Sequence, residues 1–260
     1  MLQGWLSVTI PSNGERERRI QERLETRLAA RYERVLRREL SAAAVDAAKA
    51  YRESGLIESA VRAHDDRIEA ALIRMWTDAY NLIGQRTERQ ISKATGKAYK
   101  QEMSEGFRRG LDLFIRRFAA RKIRQISHTT SEQIAQTVRR GIEDGLSVVD
   151  LAGEIATHGR ALAGYRANLI ARTEVHSAAQ AGSIEAAKDT GLRMVKNWVA
   201  VNDDRTRDGD NSDFDHTNVE SVPLNEPFNV DGELLEYPGD PAGSAGNIIF
   251  CRCAVTYRVV

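Results

Sequence analysis

Residues 184–201 read IEAAKDTGLRMVKNWVAV and contain the transition that decides the fold. The part up to Thr190 continues a long helical pattern, and Gly191 is typical of the residue that follows the end of a helix. Beyond it, residues 194–201 are rich in apolar and β-branched side chains, which favour a strand. The chain therefore passes here from a helical part into a part that contains strands.

Upstream of Thr190, apolar residues recur at helical spacing, beginning with Ile20, Leu24 and Leu28. The pattern predicts helices over residues 12–54, 57–83, 87–103, 107–126, 129–145, 147–155 and 162–190. Three features depend on local signals: Gly84, which ends or bends the helix, a capping-box pair at Thr129 and Glu132, and a loop at residues 158–160.

Downstream of Gly191, residues 194–201 and 248–260 predict strands, separated by loops and short strands. The sequence thus predicts the α+β class. We expect a long N-terminal α-helical arm or bundle over residues 1–125, followed over residues 126–260 by a compact domain of helices and a small antiparallel β-sheet.

Charge is distributed unevenly along the 260 residues, although the net charge is only +1. Residues 201–260 contain 12 acidic and 4 basic side chains, whereas residues 1–200 contain 25 acidic and 34 basic ones. No run approaches the roughly 18 apolar residues that a membrane helix needs, so no membrane association is expected. The N-terminus lacks the basic and apolar regions of a signal peptide, and we expect synthesis in a reducing cytoplasm.

The two cysteines of the chain, Cys251 and Cys253, lie two residues apart near the C-terminus. On a strand, both sulfurs would point to the same face, where His216 supplies a third ligand of the type that zinc prefers. Three side chains are candidates for the fourth ligand: Asp213, Asp215 and His176. The alternative is a pair of reduced thiols packed beside a hydrogen-bonded histidine. Nothing else in the sequence indicates a cofactor.

Arg172 and Glu174 cannot pair with each other, since residues two apart on a helix do not face each other. We expect them to join a structural polar network with Asp204 and Arg205. The catalytic alternative uses Glu174 and His216 as acid and base. The sequence contains no established catalytic motif, so we expect a protein that is not an enzyme.

One stretch of the helical part is strongly basic, with Asp112 as its single acidic residue. Its cations are Arg108, Arg109, Arg116, Arg117, Arg121, Lys122 and Arg124. They predict contact with DNA phosphates or an acidic protein surface, and a solvated helix face is the alternative. The acidic segment 203–215 lacks the spacing of an EF-hand and is interpreted as a solvent loop.

Several elements, in order, resemble the phage Mu F-like family of phage head morphogenesis (minor head) proteins. They are the segments 170–174 and 196–198, residues 203–207 followed by His216, residues 237–241, and Cys251-Arg252-Cys253. The resemblance covers about half of the chain. In the family the histidine follows the second arginine more closely, so residues 208–215 look like an insertion here.

The resemblance implies a structural minor head protein of a tailed phage or prophage, made in the host cytoplasm and located inside the capsid at the portal vertex. It implies several copies around the portal protein, contacts with the major capsid protein and packaged double-stranded DNA, and a role in DNA packaging or ejection. Two alternatives from other classes stay open: a nuclease-like enzyme acting on nucleic acid, and a general DNA-binding protein that uses the basic helices.

Overall fold

A computed structural model describes residues 14–96 and 104–260 of the chain. Its helices are α1 (Gly14–Ser54), α2 (Glu58–Arg62), α3 (Asp65–Thr95), α4 (Glu105–Glu143), α5 (Val148–Asp189) and α6 (Ala245–Ile248). The predicted start of the first helix at residue 12 and the predicted helix end at 97–103 lie outside the described residues. None of the described helices is long and apolar enough to cross a bilayer.

The breaks predicted at Thr129 and residues 158–160 are wrong, and so is a helix end at Gly84, because α3, α4 and α5 run through these positions without interruption. At Thr129 the hydroxyl donates to the Gln125 carbonyl one turn back, as a residue inside a helix does, and does not cap a new helix. The stops predicted at Gly145 and Gly191 are confirmed, since both residues follow helix ends with positive φ, at 71° and 67°.

The glycines inside the long helices permit close approach between helices. A side chain at Gly182 of α5 would place its Cβ 2.2 Å from the Tyr80 carbonyl oxygen of α3. Gly84 leaves room for the Phe107 ring in the same way, with Cβ contacts of 2.5 Å. In these positions glycine serves packing and does not end the helix.

The strands are β1 (Met194–Val199), β2 (Val222–Pro223), β3 (Phe228–Val230), β4 (Glu233–Leu235) and β5 (Ala254–Val259). Strand β1 lies between β2 and β5 in one antiparallel sheet, with Met194 opposite Val259 and Val199 opposite Ala254. Strands β3 and β4 form a hairpin whose two turn residues, Asp231 and Gly232, both have positive φ. The predicted α+β class, with a long N-terminal helical region and a small antiparallel sheet, is confirmed.

The chain divides into two compact units, and the four long helices contribute segments to both. The described part of the first unit comprises residues 14–28, 76–96, 104–114 and 172–260. Its core includes an edge-to-face contact between Trp76 and Phe114, with ring centroids 5.7 Å apart. The division predicted from the sequence, a helical arm over residues 1–125 and a compact domain over residues 126–260, stays a prediction.

The second unit comprises residues 29–75 and 115–171. Its core cluster contains Ala47, Ile57, Val61, Ile134 and Ile155, all buried. Here α5 approaches α1 closely, because a Cβ on Gly159 would lie 2.3 Å from the Ala44 methyl group. Gly159, which lies in a loop predicted from the sequence, is therefore a residue inside α5 that permits this close contact.

Candidate functional site

Cys251 and Cys253 lie at the entry to β5 in the first unit, and both thiols are free and buried. Phe250, which precedes them, has a positive φ of 55°. Its amide donates to the Thr173 hydroxyl of α5 over 3.4 Å, which ties this turn to the helix. The backbone that carries the two buried sulfurs is therefore held against α5.

His216 brings its ring to both sulfurs. Its Nδ1 lies 3.4 Å from Cys253 Sγ and 3.8 Å from Cys251 Sγ. On the other side of the ring, Nε2 lies 2.7 Å from Asn247 Oδ1, and the amide nitrogen of Asn247 donates to Glu233 over 3.1 Å. Because a carboxylate only accepts, this chain of bonds places the proton of His216 on Nε2 and leaves Nδ1 directed at the sulfurs.

Residues 208–215, which look like an insertion in the sequence, form a loop that is closed at its base. Asp208 and Asp215 pair as an antiparallel bridge, and the His216 amide donates to the Arg207 carbonyl over 2.9 Å. Arg207 and His216 are thus adjacent although eight residues separate them in the sequence. The loop residues Asp208, Asp210 and Asp213 are exposed, while the closed base keeps His216 next to Arg207.

His176 of α5 approaches the same cluster. Its Nδ1 lies 2.8 Å from Glu25 Oε2 of α1, while its Nε2 is buried and has no hydrogen-bond partner among the described residues. Gly239 covers the ring so closely that a Cβ there would lie 2.6 Å from His176 Cδ2. Burial disfavours the imidazolium, but Glu25 and Cys251 outweigh this effect and raise the pKa of His176 to about 10.

Glu25 is itself held in place by Gln180, whose amide nitrogen donates to Glu25 Oε1 over 2.9 Å and to Gln21 Oε1 over 3.0 Å. The Gln180 oxygen accepts from the Val255 amide of β5 over 3.0 Å. The position of His176 therefore depends on a polar chain that links α1, α5 and β5.

The two thiols differ in acidity. The pKa of Cys251 lies well below its usual value, because Cys253 and the two histidines stabilise the thiolate. The pKa of Cys253 is raised, because a second negative charge beside Cys251 is unfavourable and burial adds to the effect. The site thus combines two cysteine sulfurs and two histidine rings, which are the ligand types that zinc prefers.

The other two candidates for a fourth ligand lie elsewhere. Asp213 is exposed, and Asp215 accepts from the amide and the hydroxyl of Thr217 over 2.8 and 2.6 Å. His176, the remaining candidate, has a buried Nε2 and interacts with Cys251.

The structure does not bring Arg172, Glu174, Asp204 and Arg205 together in one buried network. Glu174 is buried and accepts from Trp76 Nε1 over 3.2 Å, whereas the other three residues are exposed. The ion pair that does hold the 203–207 turn joins Asp203 to Arg252, with contacts of 2.8 and 2.5 Å. This pairing lowers the pKa of Asp203.

The basic side chains lie on α4 and are mostly exposed. In the first unit, Arg108 and Arg109 are exposed, and Arg109 lies 3.4 Å from Glu105. In the second unit, Arg117 and Arg121 flank the buried Phe118 ring at 5.2 and 5.3 Å from its centroid. Of the others, Arg116 and Arg124 are exposed and Lys122 is half-buried.

Comparison with known proteins gives one family. The model of the family described as "Phage Mu protein F like protein" matches residues 132–256, a range that includes His176, His216 and both cysteines. No curated protein and no solved structure matches the chain.

Proposed function

We propose that this chain, which belongs through residues 132–256 to the phage Mu F-like head morphogenesis family, is a minor head protein that binds the portal. The family match alone carries the coarser conclusion, a virion component that takes part in head morphogenesis. The finer proposal is that several copies surround the portal protein inside the capsid, contact the major capsid protein, and assist DNA packaging or ejection.

Exposed apolar side chains at the turn between α4 and α5 support a protein partner. In the second unit, Ile142 is 60 % exposed, Val148 52 % and Val149 65 %. Hydrogen bonds hold the turn that carries them: the Leu146 amide donates to the Gly141 carbonyl over 2.8 Å, and Ser147 caps α5 through the Asp150 amide. Exposed apolar side chains that are grouped on the surface are typical of an interaction site.

The basic face of α4 supports a contact with DNA. Arg117 and Arg121 extend past Phe118 into solvent, and phosphate contacts of this kind are independent of sequence. A general DNA-binding role without a head function would use the same residues. The head-protein proposal requires that the chain bind the portal protein, whereas a general DNA-binding role does not.

The test is a pull-down of the purified full-length chain with the portal protein encoded nearest to it, followed by a mass measurement of the complex. We expect a stoichiometric complex that is weakened in a double variant, Ile142→Ser with Val149→Ser. The matched control is Leu234→Ser, which changes a side chain that is equally exposed, at 64 %, on the first unit. A folded chain that forms no complex with the portal would contradict the proposal.

We propose further that the chain has no catalytic activity, since the family is one of structural head proteins. Glu174, the acid in the nuclease-like alternative, is buried and hydrogen-bonded to Trp76. A turnover assay on DNA and RNA, with Glu174→Ala and His216→Ala as controls, tests this point. Turnover that both substitutions abolish would establish the enzyme instead.

A further inference from the structure

We propose that His176, His216, Cys251 and Cys253 bind one Zn²⁺ ion in a tetrahedral site that joins α5, the 208–216 loop and the entry to β5. The proposal does not depend on the head function. It rests on three observations in the first unit: the spacing of the ligand atoms, the orientation of the two imidazoles, and an unpartnered buried nitrogen.

Three of the four ligand atoms, those of His216, Cys251 and Cys253, have the spacing of a tetrahedral site. With Zn–S near 2.3 Å and Zn–N near 2.0–2.1 Å, a tetrahedron places sulfur and nitrogen ligands about 3.6 Å apart. The distances from His216 Nδ1 to the two sulfurs, 3.4 and 3.8 Å, lie on either side of this value. The ligand atoms of His216, Cys251 and Cys253 all lie within 4.8 Å of one another, so a single ion can contact all three.

Both histidines are oriented as zinc ligands. A metal-bound imidazole usually donates its other N–H to an oxygen acceptor, which fixes the tautomer and the ring plane. His216 donates from Nε2 to Asn247 Oδ1 over 2.7 Å, and Nδ1 of His176 lies 2.8 Å from Glu25 Oε2. The nitrogen left for a ligand is therefore Nδ1 in His216 and Nε2 in His176.

The fourth position is indicated by His176 Nε2, which is buried without a hydrogen-bond partner among the described residues. Leaving a buried polar nitrogen unpaired is costly, and the cost is removed if the nitrogen binds a metal. In the alternative, a metal-free cluster of thiols and imidazoles, this nitrogen would pair with the Cys251 sulfur instead. Zinc supplies a partner for the nitrogen and also accounts for the orientation of both rings.

The consequence of the site would be structural. All four positions are occupied by protein side chains that are at most 5 % exposed, which leaves no open position for a water or a substrate. The ion would connect segments that are separated by up to 77 positions in the sequence, in a region where the strands have only two to six residues. Zinc would thus stabilise a part of the fold that has little regular structure.

The first experiment measures the metal content of the full-length chain, purified without chelator, by elemental analysis, together with the absorption spectrum of the Co²⁺-substituted protein. We expect one zinc per chain, and a Co²⁺ spectrum with the intense visible bands of tetrahedral coordination and a thiolate charge-transfer band. A folded wild-type chain that contains no zinc and gives no such spectrum with added Co²⁺ would overturn the proposal.

Variants identify the ligands. We expect Cys251→Ser and His176→Gln to lose the tetrahedral Co²⁺ spectrum. Glu25→Ala, which acts through His176, should weaken Zn²⁺ affinity by about 10–100-fold, the usual effect of losing an outer-sphere partner. The matched control is His64→Gln, because His64 is also buried and lies 2.9 Å from a carboxylate oxygen, but in the second unit. If His176→Gln keeps the affinity and spectrum of the wild type, the four-ligand assignment is wrong.

Discussion

Replacing Gly182 by alanine should destabilise the protein, although alanine is the better helix former. The added Cβ would lie 2.2 Å from the Tyr80 carbonyl oxygen and 2.8 Å from two further backbone atoms of Tyr80. Non-bonded heavy atoms prefer about 3.5–4.0 Å, and backbone cannot rotate away as a side chain can. Helices α3 and α5 would have to separate, which strains the hydrogen bond from Trp76 of α3 to Glu174 of α5.

The magnitude follows from two opposing effects. Alanine in place of a helical glycine gains about 0.5–1 kcal/mol. Overpacking a core costs about 1–3 kcal/mol and occasionally more, and a backbone obstacle favours the upper end of this range. For Gly182→Ala we therefore expect a net loss of about 2 kcal/mol in the free energy of unfolding.

Gly153→Ala provides the control in the same helix, because a Cβ there meets no atom within 4 Å. It should gain the helix propensity alone, about 0.5–1 kcal/mol. Urea denaturation followed by far-UV circular dichroism measures both changes, provided that the slopes of the transitions agree. If Gly182→Ala is as stable as the wild type or more so, the close crossing of α3 and α5 is not a constraint on the fold.

Three further results are expected. Burial lowers the pKa of Lys196 to about 8, so this side chain binds fewer protons in the folded than in the unfolded chain between about pH 8 and 10.5. Its contribution to stability should rise with pH over this window by at most about 3 kcal/mol, measured as the difference between the pH-dependent unfolding curves of the wild type and Lys196→Met. Asp203→Asn should lower the free energy of unfolding by about 1 kcal/mol at neutral pH, because it breaks the ion pair with Arg252. Since this pairing lowers the pKa of Asp203, the difference in stability from the wild type should vanish as acid protonates the carboxylate below about pH 4. The double variant Arg117→Gln with Arg121→Gln should weaken DNA binding equally for all sequences. The slope of log affinity against log salt concentration should fall by about 1 for each phosphate that the variant no longer binds, measured by fluorescence anisotropy at several salt concentrations. An unchanged slope would remove α4 from the DNA interface.

The helices could be predicted from the sequence as regions but not at their internal breaks. Glycine is both a signal that ends a helix and the residue that permits close contact between helices, and the two roles look alike in one chain. Gly145 and Gly191 have positive φ and end helices, whereas Gly84 and Gly159 face Phe107 and Ala44 inside them. The difference depends on contacts with residues far away in the sequence, which local patterns do not contain.

Three members of the candidate site, His216, Cys251 and Cys253, could be found by residue type, and His176 was one of three candidates for the fourth position, because cysteine and histidine have a narrow range of chemistry. Glu25 could not, since it lies 151 positions from His176 and resembles any acidic residue on a charged helix. One signal was present. Counting back from the buried Ala29 in steps of four gives Glu25, Gln21 and Glu17, all buried, whereas the apolar residues at 20, 24 and 28 are only half-buried. A polar stripe in phase with the apolar face of a helix indicates buried polar contacts.

The closed base of the 208–215 loop makes it a suitable place for a label. The Asp208–Asp215 bridge and the bond from the His216 amide to the Arg207 carbonyl hold the two ends together, so added residues would not displace His216. Doubling the length of a flexible loop costs only about 0.6 kcal/mol in closure entropy. A short epitope inserted at the exposed Gly209 would therefore leave the fold intact and allow an antibody to locate this chain in intact and opened particles.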